Sequence, residues 1–142
     1  MDRVDAFREV RERCVKTFLD VIVASILTER ASWGYEIIAN IHDELHMLFS
    51  PGAIYPILYS MEKQGLIRKN GQSRKMLFSL TRQGEQWLSE MLGASKYIPQ
   101  LIMLFTIRGK DGTKPASEKG LPISAPAWKN LLQEAKTAPP HQ

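Results

Sequence analysis

The sequence predicts a mainly helical α+β fold: a winged helix-turn-helix with a two-stranded wing and additional N- and C-terminal dimerisation helices. The first observation behind this fold class is the pair Ser50-Pro51, a strong signal for the start of a helix. The second is two short β-prone segments, 66–69 and 76–80, joined by turn-forming residues. The third is a cluster of positive charge around that turn, which is typical of a wing that meets nucleic acid.

The N-terminal segment predicts a helical stretch over residues 5–28. Apolar residues recur there every three or four positions, which is helical spacing, and the run 21–27 is almost wholly apolar, as expected for a central core helix. Oppositely charged side chains four residues apart, such as Glu9 and Arg13, would support the exposed first half. The single cysteine, Cys14, lies on the apolar stripe, so we expect a buried thiol rather than a redox sensor or an intersubunit bridge.

Two central helices are predicted next. The first runs through Tyr35 to Leu45 with Ser32 as its N-cap, and its expected buried face consists of Ile37, Ile38, Ile41 and Leu45. The second runs from Ser50 to near Gly65, where a left-handed cap would end it. The Ser50 side chain is expected to accept N–H groups of the first turn, and Pro56 to disturb that turn without breaking the helix. Its expected buried face is Ile54, Leu58 and Met61, and whether Ile57 belongs to this face is left open.

The wing and the elements after it are predicted from turn and cap signals. Asn70-Gly71-Gln72-Ser73 supplies the turn between the two strands, and Thr81 is the expected N-cap of a further helix. Apolar periodicity then continues to Phe105, and Gly93 and Pro99 predict a bend or a second helix that begins around 95–99. A domain at 1–108 is predicted to be followed by a flexible tail, because residues 109–142 are rich in Pro and Lys. Within this tail, the segment around Trp128 could form a short docking helix.

The net charge of +4 has an uneven distribution along the chain. Residues 1–62 carry six Lys/Arg against ten Asp/Glu, residues 63–82 carry six against none, and residues 83–142 carry seven against five. The excess is therefore local, and it predicts a basic patch beside an acidic helical scaffold. A solvated basic loop is the alternative, which the neighbouring helix-turn-helix disfavours.

Several function classes are disfavoured by what the sequence lacks. The apolar runs are far shorter than the ~20 residues of a membrane span, and the charged N-terminus has no signal-peptide character, so we expect a cytoplasmic protein without membrane association. No catalytic constellation or nucleotide-binding fingerprint is visible, so neither an enzyme nor a cofactor is expected. His42 and His46 have the spacing of metal ligands on a helix, but Asp43 replaces the zincin glutamate and no third ligand is evident, so no metal is expected.

Four sequence blocks in order resemble the PadR family of transcriptional regulators. They are Gly34-Tyr35-Glu36-Ile37, then Ser50-Pro51-Gly52-Ala53-Ile54-Tyr55-Pro56, then Gly65-Leu66-Ile67, and finally Leu80-Thr81-Arg82-Gln83-Gly84. The resemblance covers roughly 19–92 and implies a transcriptional regulator, expected to act as a repressor, that binds a near-palindromic operator as a homodimer. In that family the first and last helices of the two subunits pack together. Some members sense small molecules there, but no polar anchor within the apolar stripe assigns an effector to this chain.

Two sets of candidate site residues follow from these expectations. The expected DNA-binding residues are Tyr35, Ser50, Gly52, Ala53, Tyr55, Tyr59, Ser60, Lys63, Arg68, Lys69, Ser73, Arg74 and Lys75. The expected dimerisation residues are Phe7, Val10, Cys14, Leu88, Met91, Leu92, Leu101, Ile102 and Phe105. For Tyr55 and Tyr59 a half-buried packing role stays open. The alternative function is a winged-helix adaptor whose basic wing binds an acidic protein partner.

Overall fold

The computed structural model of the chain describes residues 2–71, 75–107 and 137, and of 103–107 it describes the backbone alone. The chain divides into two compact units, 1–92 and 93–142. The order of elements is α1 (Arg3–Thr17), α2 (Leu19–Glu29), β1 (Ser32–Trp33), α3 (Gly34–Leu45), α4 (Pro51–Lys63), β2 (Ile67–Asn70), β3 (Leu77–Leu80), α5 (Arg82–Ser95) and α6 (Ile98–Ile107). The winged-helix fold class is confirmed. The predicted boundary at 108/109, Trp128 and the whole tail except Thr137 lie outside the described residues.

The N-terminal helical stretch bends at Phe18, where the prediction gave uninterrupted helical spacing. Phe18 has φ −104° and ψ 27° and separates α1 from α2. Its N–H donates to the Cys14 carbonyl and its carbonyl accepts from the Ile22 N–H, so helical hydrogen bonds persist on both sides of the bend. The expectation of a buried Cys14 thiol is wrong for the single chain, because α1 lies largely outside the core and Cys14 is exposed.

The sheet has a third strand that the sequence pattern did not predict. β1 pairs antiparallel with β3, Ser32 opposite Phe78 and Trp33 opposite Leu77, so the strand order is β1-β3-β2. Ser32 is therefore a buried strand residue and not the predicted N-cap; its hydroxyl donates to the Arg30 carbonyl. Trp33 takes the N-cap position of α3, and its N–H donates to the Glu36 side chain at 2.9 Å.

The core of the first unit lies among α2, α3, α4, α5 and the sheet. The predicted buried face of α4 is confirmed, because Ile54, Leu58 and Met61 are almost completely inaccessible, while Ile57 is half-buried. On α3 the prediction is confirmed for the three isoleucines, and Leu45 is half-buried at the edge. The buried cluster is Leu19, Val21, Val23, Ala24, Leu27, Ile37, Ile38, Ile41, Ile54, Leu58, Met61, Leu66, Ile67, Phe78 and Leu88.

The junction from α4 to the wing is fixed by backbone hydrogen bonds and one glycine. Gly65 has φ +77°, which confirms the predicted left-handed cap. The Leu66 N–H donates to the Met61 carbonyl and the Gly65 N–H to the Glu62 carbonyl, which is the Schellman arrangement. Because this geometry fixes the direction in which the chain leaves α4, it sets where β2 begins.

Thr81 joins the wing to α5, as predicted. Its hydroxyl accepts from the Gly84 N–H at 3.0 Å, which makes it the N-cap, and it lies 2.6 Å from the Gly65 carbonyl oxygen. The predicted interruption is also confirmed, since α5 ends at Ser95 and α6 begins at Ile98.

In the described ranges, no helix combines the length and apolar character that crossing a membrane requires.

Candidate nucleic-acid interface

The helices α3 and α4 form the helix pair, and α4 presents one face to solvent. Ser50, Gly52, Ala53, Tyr59 and Ser60 are all exposed, whereas Ile54, Leu58 and Met61 are buried. Ser50 is the N-cap, but its side chain makes no capping bond; instead its carbonyl accepts from the N–H groups of Ala53 and Ile54. The Ser50 hydroxyl is therefore not committed to the helix terminus. Pro56 lies within α4 and is exposed, so the helix continues through it.

Three tyrosines form an aromatic cluster across α3 and α4. The ring centroids of Tyr35 and Tyr55 are 6.4 Å apart and those of Tyr55 and Tyr59 are 6.0 Å apart. Tyr55 also meets Phe78 edge to face at 6.5 Å. Tyr55 is thus half-buried, which favours its packing role, whereas Tyr35 and Tyr59 are exposed. Burial of Tyr55, and to a smaller extent the neighbouring Tyr35 and Tyr59, raises the pKa of its hydroxyl above the ordinary tyrosine value.

Gly34 leaves the space that Tyr55 occupies. A Cβ atom at position 34 would overlap the end of the Tyr55 ring and its hydroxyl. We expect Gly34→Ala to lower the free energy of unfolding by about 1–3 kcal/mol, because the Tyr55 ring must shift in a packed site. Urea unfolding of Gly34→Ala, of Tyr55→Leu and of the double variant measures the coupling. The penalty of Gly34→Ala should shrink in the Tyr55→Leu background; an unchanged penalty would show that the glycine serves another purpose.

Exposed cations lie at the end of α4 and in the wing. Lys63, Arg68 and Lys75 are exposed. Lys69 differs, since its Nζ lies 3.9 Å from the Glu62 carboxylate and 5.9 Å from the centre of the Tyr59 ring. Lys69 therefore has an acidic neighbour from α4, although residues 63–82 themselves contain no Asp or Glu. Ser73 and Arg74 lie outside the described residues.

The two histidines considered as metal ligands do not share a helix face. His42 lies in the last turn of α3, whereas His46 follows the helix with φ +52°, a left-handed conformation that ends it. The nearest charged neighbour of His42 is Asp43, 3.6 Å from its ring nitrogen. Among the described residues, no three His, Cys, Asp or Glu side chains are placed to hold a metal ion.

The expected dimerisation residues fall into two groups. Leu88 is 5% exposed and packs in the core, and Met91 is half-buried against the same core. The prediction of Leu88 as a dimerisation residue is therefore wrong, because its side chain packs within its own subunit. Phe7 and Val10 are highly exposed on α1. Val4, which sequence reasoning missed, is similarly exposed and extends the same helix face. Leu92 and Ile102 are exposed and Leu101 is half-buried, whereas the Phe105 side chain lies outside the described part of the chain.

Sequence reasoning missed one further residue on the candidate interface. Glu62 belongs to the acidic stretch 1–62, but its position three residues after Tyr59 places both on one face of α4. That spacing was the signal that could have identified it.

Comparison with known proteins identifies one family. The sequence model of the transcriptional regulator PadR-like family matches residues 23–90, a range that contains all four motif blocks. The chain is also 37% identical over 75 residues to the transcriptional regulator YqjI of Escherichia coli K12. That match covers 51% of this chain and 36% of the relative, so the chain spans about a third of the length of the curated relatives it matches.

Solved structures share the fold. A PadR family transcription regulator from Clostridium difficile is 29% identical with a TM-score of 0.51, over 62% of this chain and 97% of that one. A transcriptional regulator from Clostridium thermocellum has a TM-score of 0.59 at 23% identity, over 66% of this chain and 98% of that one. A PadR-like regulator from Bacillus cereus has a TM-score of 0.56 at 20% identity, over 69% and 99%. The last two likenesses establish the fold alone.

Proposed function

Because residues 23–90 form a domain of the transcriptional regulator PadR-like family, we propose that this chain is a sequence-specific DNA-binding regulator that represses transcription as a homodimer. Members of this family are regulators and not enzymes, and no catalytic group is part of the proposal.

The observation that carries the proposal is the exposed face of α4 beside a cationic wing. In a helix-turn-helix the second helix enters the major groove, while the first helix and the wing contact phosphates. Here α4 is the next helix after α3, and its outward face carries small and hydroxyl-bearing side chains. The wing that follows carries exposed cations, Arg68 in β2 and Lys75 just before β3. Small side chains at Ser50 and Ala53 allow close approach of the helix to base edges.

Readout of bases is assigned to the exposed face of α4, with Ala53, Tyr59 and Ser60 as the contacting residues. This face lacks the arginine or asparagine that makes bidentate contacts to guanine or adenine. Sequence preference is therefore expected to depend on methyl contacts, water-mediated contacts and DNA shape. Tyr35, Arg68 and Lys75 are assigned to phosphates, and Tyr55 positions its two neighbouring tyrosines.

The dimer is assigned to the exposed apolar residues of α1 and of the C-terminal helices. Val4, Phe7 and Val10 lie three residues apart, so they share one face of α1, and Cys14 falls on the same face. An apolar face of this kind on an isolated subunit favours a protein partner. A second copy would cover it and would present two α4 helices to one duplex, with half-sites about one helical turn (~10 bp) apart.

Wing and helix are expected to respond differently to substitution. Lys75→Gln should weaken binding to the preferred duplex and to random duplex alike. It should also reduce the salt slope of binding by about one per subunit, because one phosphate contact is lost. Tyr59→Ala or Ala53→Ser should instead change which sequences are preferred, because these positions face the bases. Selection from a random duplex pool, followed by titrations at several salt concentrations, measures both effects.

The same experiment distinguishes the adaptor alternative. Binding without any sequence preference, or a Lys75→Gln variant with the preference changed and the salt slope intact, would contradict the assigned roles. Absence of duplex binding together with salt-dependent capture of an acidic protein would favour the adaptor.

A further inference from the structure

We propose that Glu62 attenuates the sequence-independent part of DNA binding by holding Lys69 in an intramolecular ion pair. This inference rests on the proposed function and names a regulating residue within the same surface. Glu62 is a positioning residue here, since it affects DNA binding through Lys69. Its own negative charge has a second effect on DNA binding.

The strand geometry places Lys69 on the α4 side of the wing. Successive side chains of a strand point to opposite faces, so Lys69 shares a face with the buried Ile67, and Arg68 lies on the other face. Lys69 is also directly opposite Phe78 of β3, whose ring is fully buried against Tyr55. Of the two adjacent cations in β2, only Lys69 therefore emerges beside the aromatic cluster of α4.

Two groups on α4 engage the Lys69 ammonium. The Glu62 carboxylate lies 3.9 Å away and the Tyr59 ring centroid 5.9 Å away. The side chains of Lys69 and Glu62 are each 34% exposed, so the pair is partly shielded from water. Tyr59 and Glu62 are neighbours three residues apart on one helix face, and together they attract one cation from two sides.

The other cations of this region are not held in this way. Lys63, Arg68 and Lys75 are exposed and, within 2–71 and 75–107, none of them has a carboxylate partner. The described cations near the wing thus divide into those available to a phosphate and one that is already engaged.

A DNA phosphate has to compete with Glu62 for Lys69. Non-specific binding comes almost entirely from cation–phosphate contacts, so an engaged cation contributes little to it. Glu62 also places a negative charge next to Tyr59, on the face assigned to DNA. Both effects reduce binding that does not depend on base sequence.

Titration of Glu62→Gln with random duplex at several salt concentrations tests the proposal. Relative to the unmodified protein, we expect binding up to about fivefold tighter per subunit, the range of a surface ion pair. The salt slope should become steeper by about one per subunit, because Lys69 now releases a counterion. Lys69→Gln alone should leave the slope nearly unchanged, whereas Lys75→Gln should reduce it by about one.

Two further variants isolate the cause. Glu12→Gln removes a carboxylate from the Glu12–Lys16 pair on α1, which has the same 3.9 Å separation, and should change affinity by less than about twofold. Glu62→Gln in a Lys69→Gln background should no longer steepen the slope. Circular dichroism and thermal unfolding check that each variant is folded.

Three outcomes would overturn the inference: Glu62→Gln binds no tighter than the unmodified protein, Glu12→Gln has the same effect, or the steeper slope persists without Lys69. Failure of the proposed function is distinguishable, because the unmodified protein would then bind no duplex in the same titration. A Lys69→Gln variant that loses a full unit of slope would also overturn it, and this holds even if Glu62→Gln fails to fold.

Discussion

Replacing Gly84 with alanine is expected to lower the free energy of unfolding by about 3 kcal/mol, one of the two largest effects that the structure implies. Gly84 is buried in the first turn of α5, where its N–H donates to the Thr81 hydroxyl. A Cβ atom there would overlap the Leu66 carbonyl oxygen and lie 2.8 Å from the Leu80 Cδ1. Backbone cannot move aside as a flexible side chain can, so α5 would have to separate from the start of the wing.

Gly93 supplies the matched control in the same helix. A Cβ atom at position 93 meets no atom within 4 Å. Gly93→Ala should therefore stabilise the protein by about 0.5–1 kcal/mol through helix propensity alone. Urea unfolding of both variants measures the difference. If Gly84→Ala is as stable as the unmodified protein, the close approach of α5 to Leu66 is not a constraint on the fold.

Replacing Phe7 with aspartate is expected to dissociate the proposed dimer while the subunit stays folded. Phe7 is 68% exposed in the single chain, so its loss costs the subunit little. In a dimer the new carboxylate would be buried without a partner, at about 3–5 kcal/mol, which corresponds to an association weaker by roughly a hundredfold to a few thousandfold. Sedimentation equilibrium measures association, and DNA titration should show loss of cooperative binding to two half-sites.

Lys16→Gln is the control for the dimer prediction. It changes the net charge by the same amount and lies on the charged face of α1, where Lys16 pairs with Glu12 at 3.9 Å. We expect this variant to remain dimeric. A folded monomer for the unmodified protein would contradict the dimer itself, and equal dissociation of both variants would remove the apolar face of α1 from the interface.

Much of the backbone could be predicted because its signals are local. Ser50-Pro51 starts α4, Gly65 ends it with a positive φ, and Thr81 caps α5, each through bonds to residues close in sequence or through the conformational freedom of glycine. The two predicted strands agree with β2 and β3 to within about one residue, which is the usual uncertainty of element ends. The four motif blocks are also local in sequence, and the family that they indicated is the one whose sequence model matches residues 23–90.

The candidate site could be predicted only in part. The exposed face of α4 followed from helical periodicity, because the buried positions Ile54, Leu58 and Met61 define the opposite side. The half-burial of Tyr55 did not follow, since it depends on Phe78 in another element and on space left at Gly34. The pairing of Lys69 with Glu62 likewise requires β2 to fold back along α4.

The sequence by itself therefore determined the order of α3, α4 and α5, the caps at Gly65 and Thr81, the two strands of the wing and the location of the positive charge. The tertiary structure alone decided that Ser32 joins the sheet through β3, that Cys14 and Phe7 lie outside the subunit core, and that Gly84 touches the backbone at Leu66. The physical reason is the range of the interactions. Turn, cap and periodicity signals act over a few residues, whereas burial and strand pairing depend on segments that become neighbours only when the chain folds.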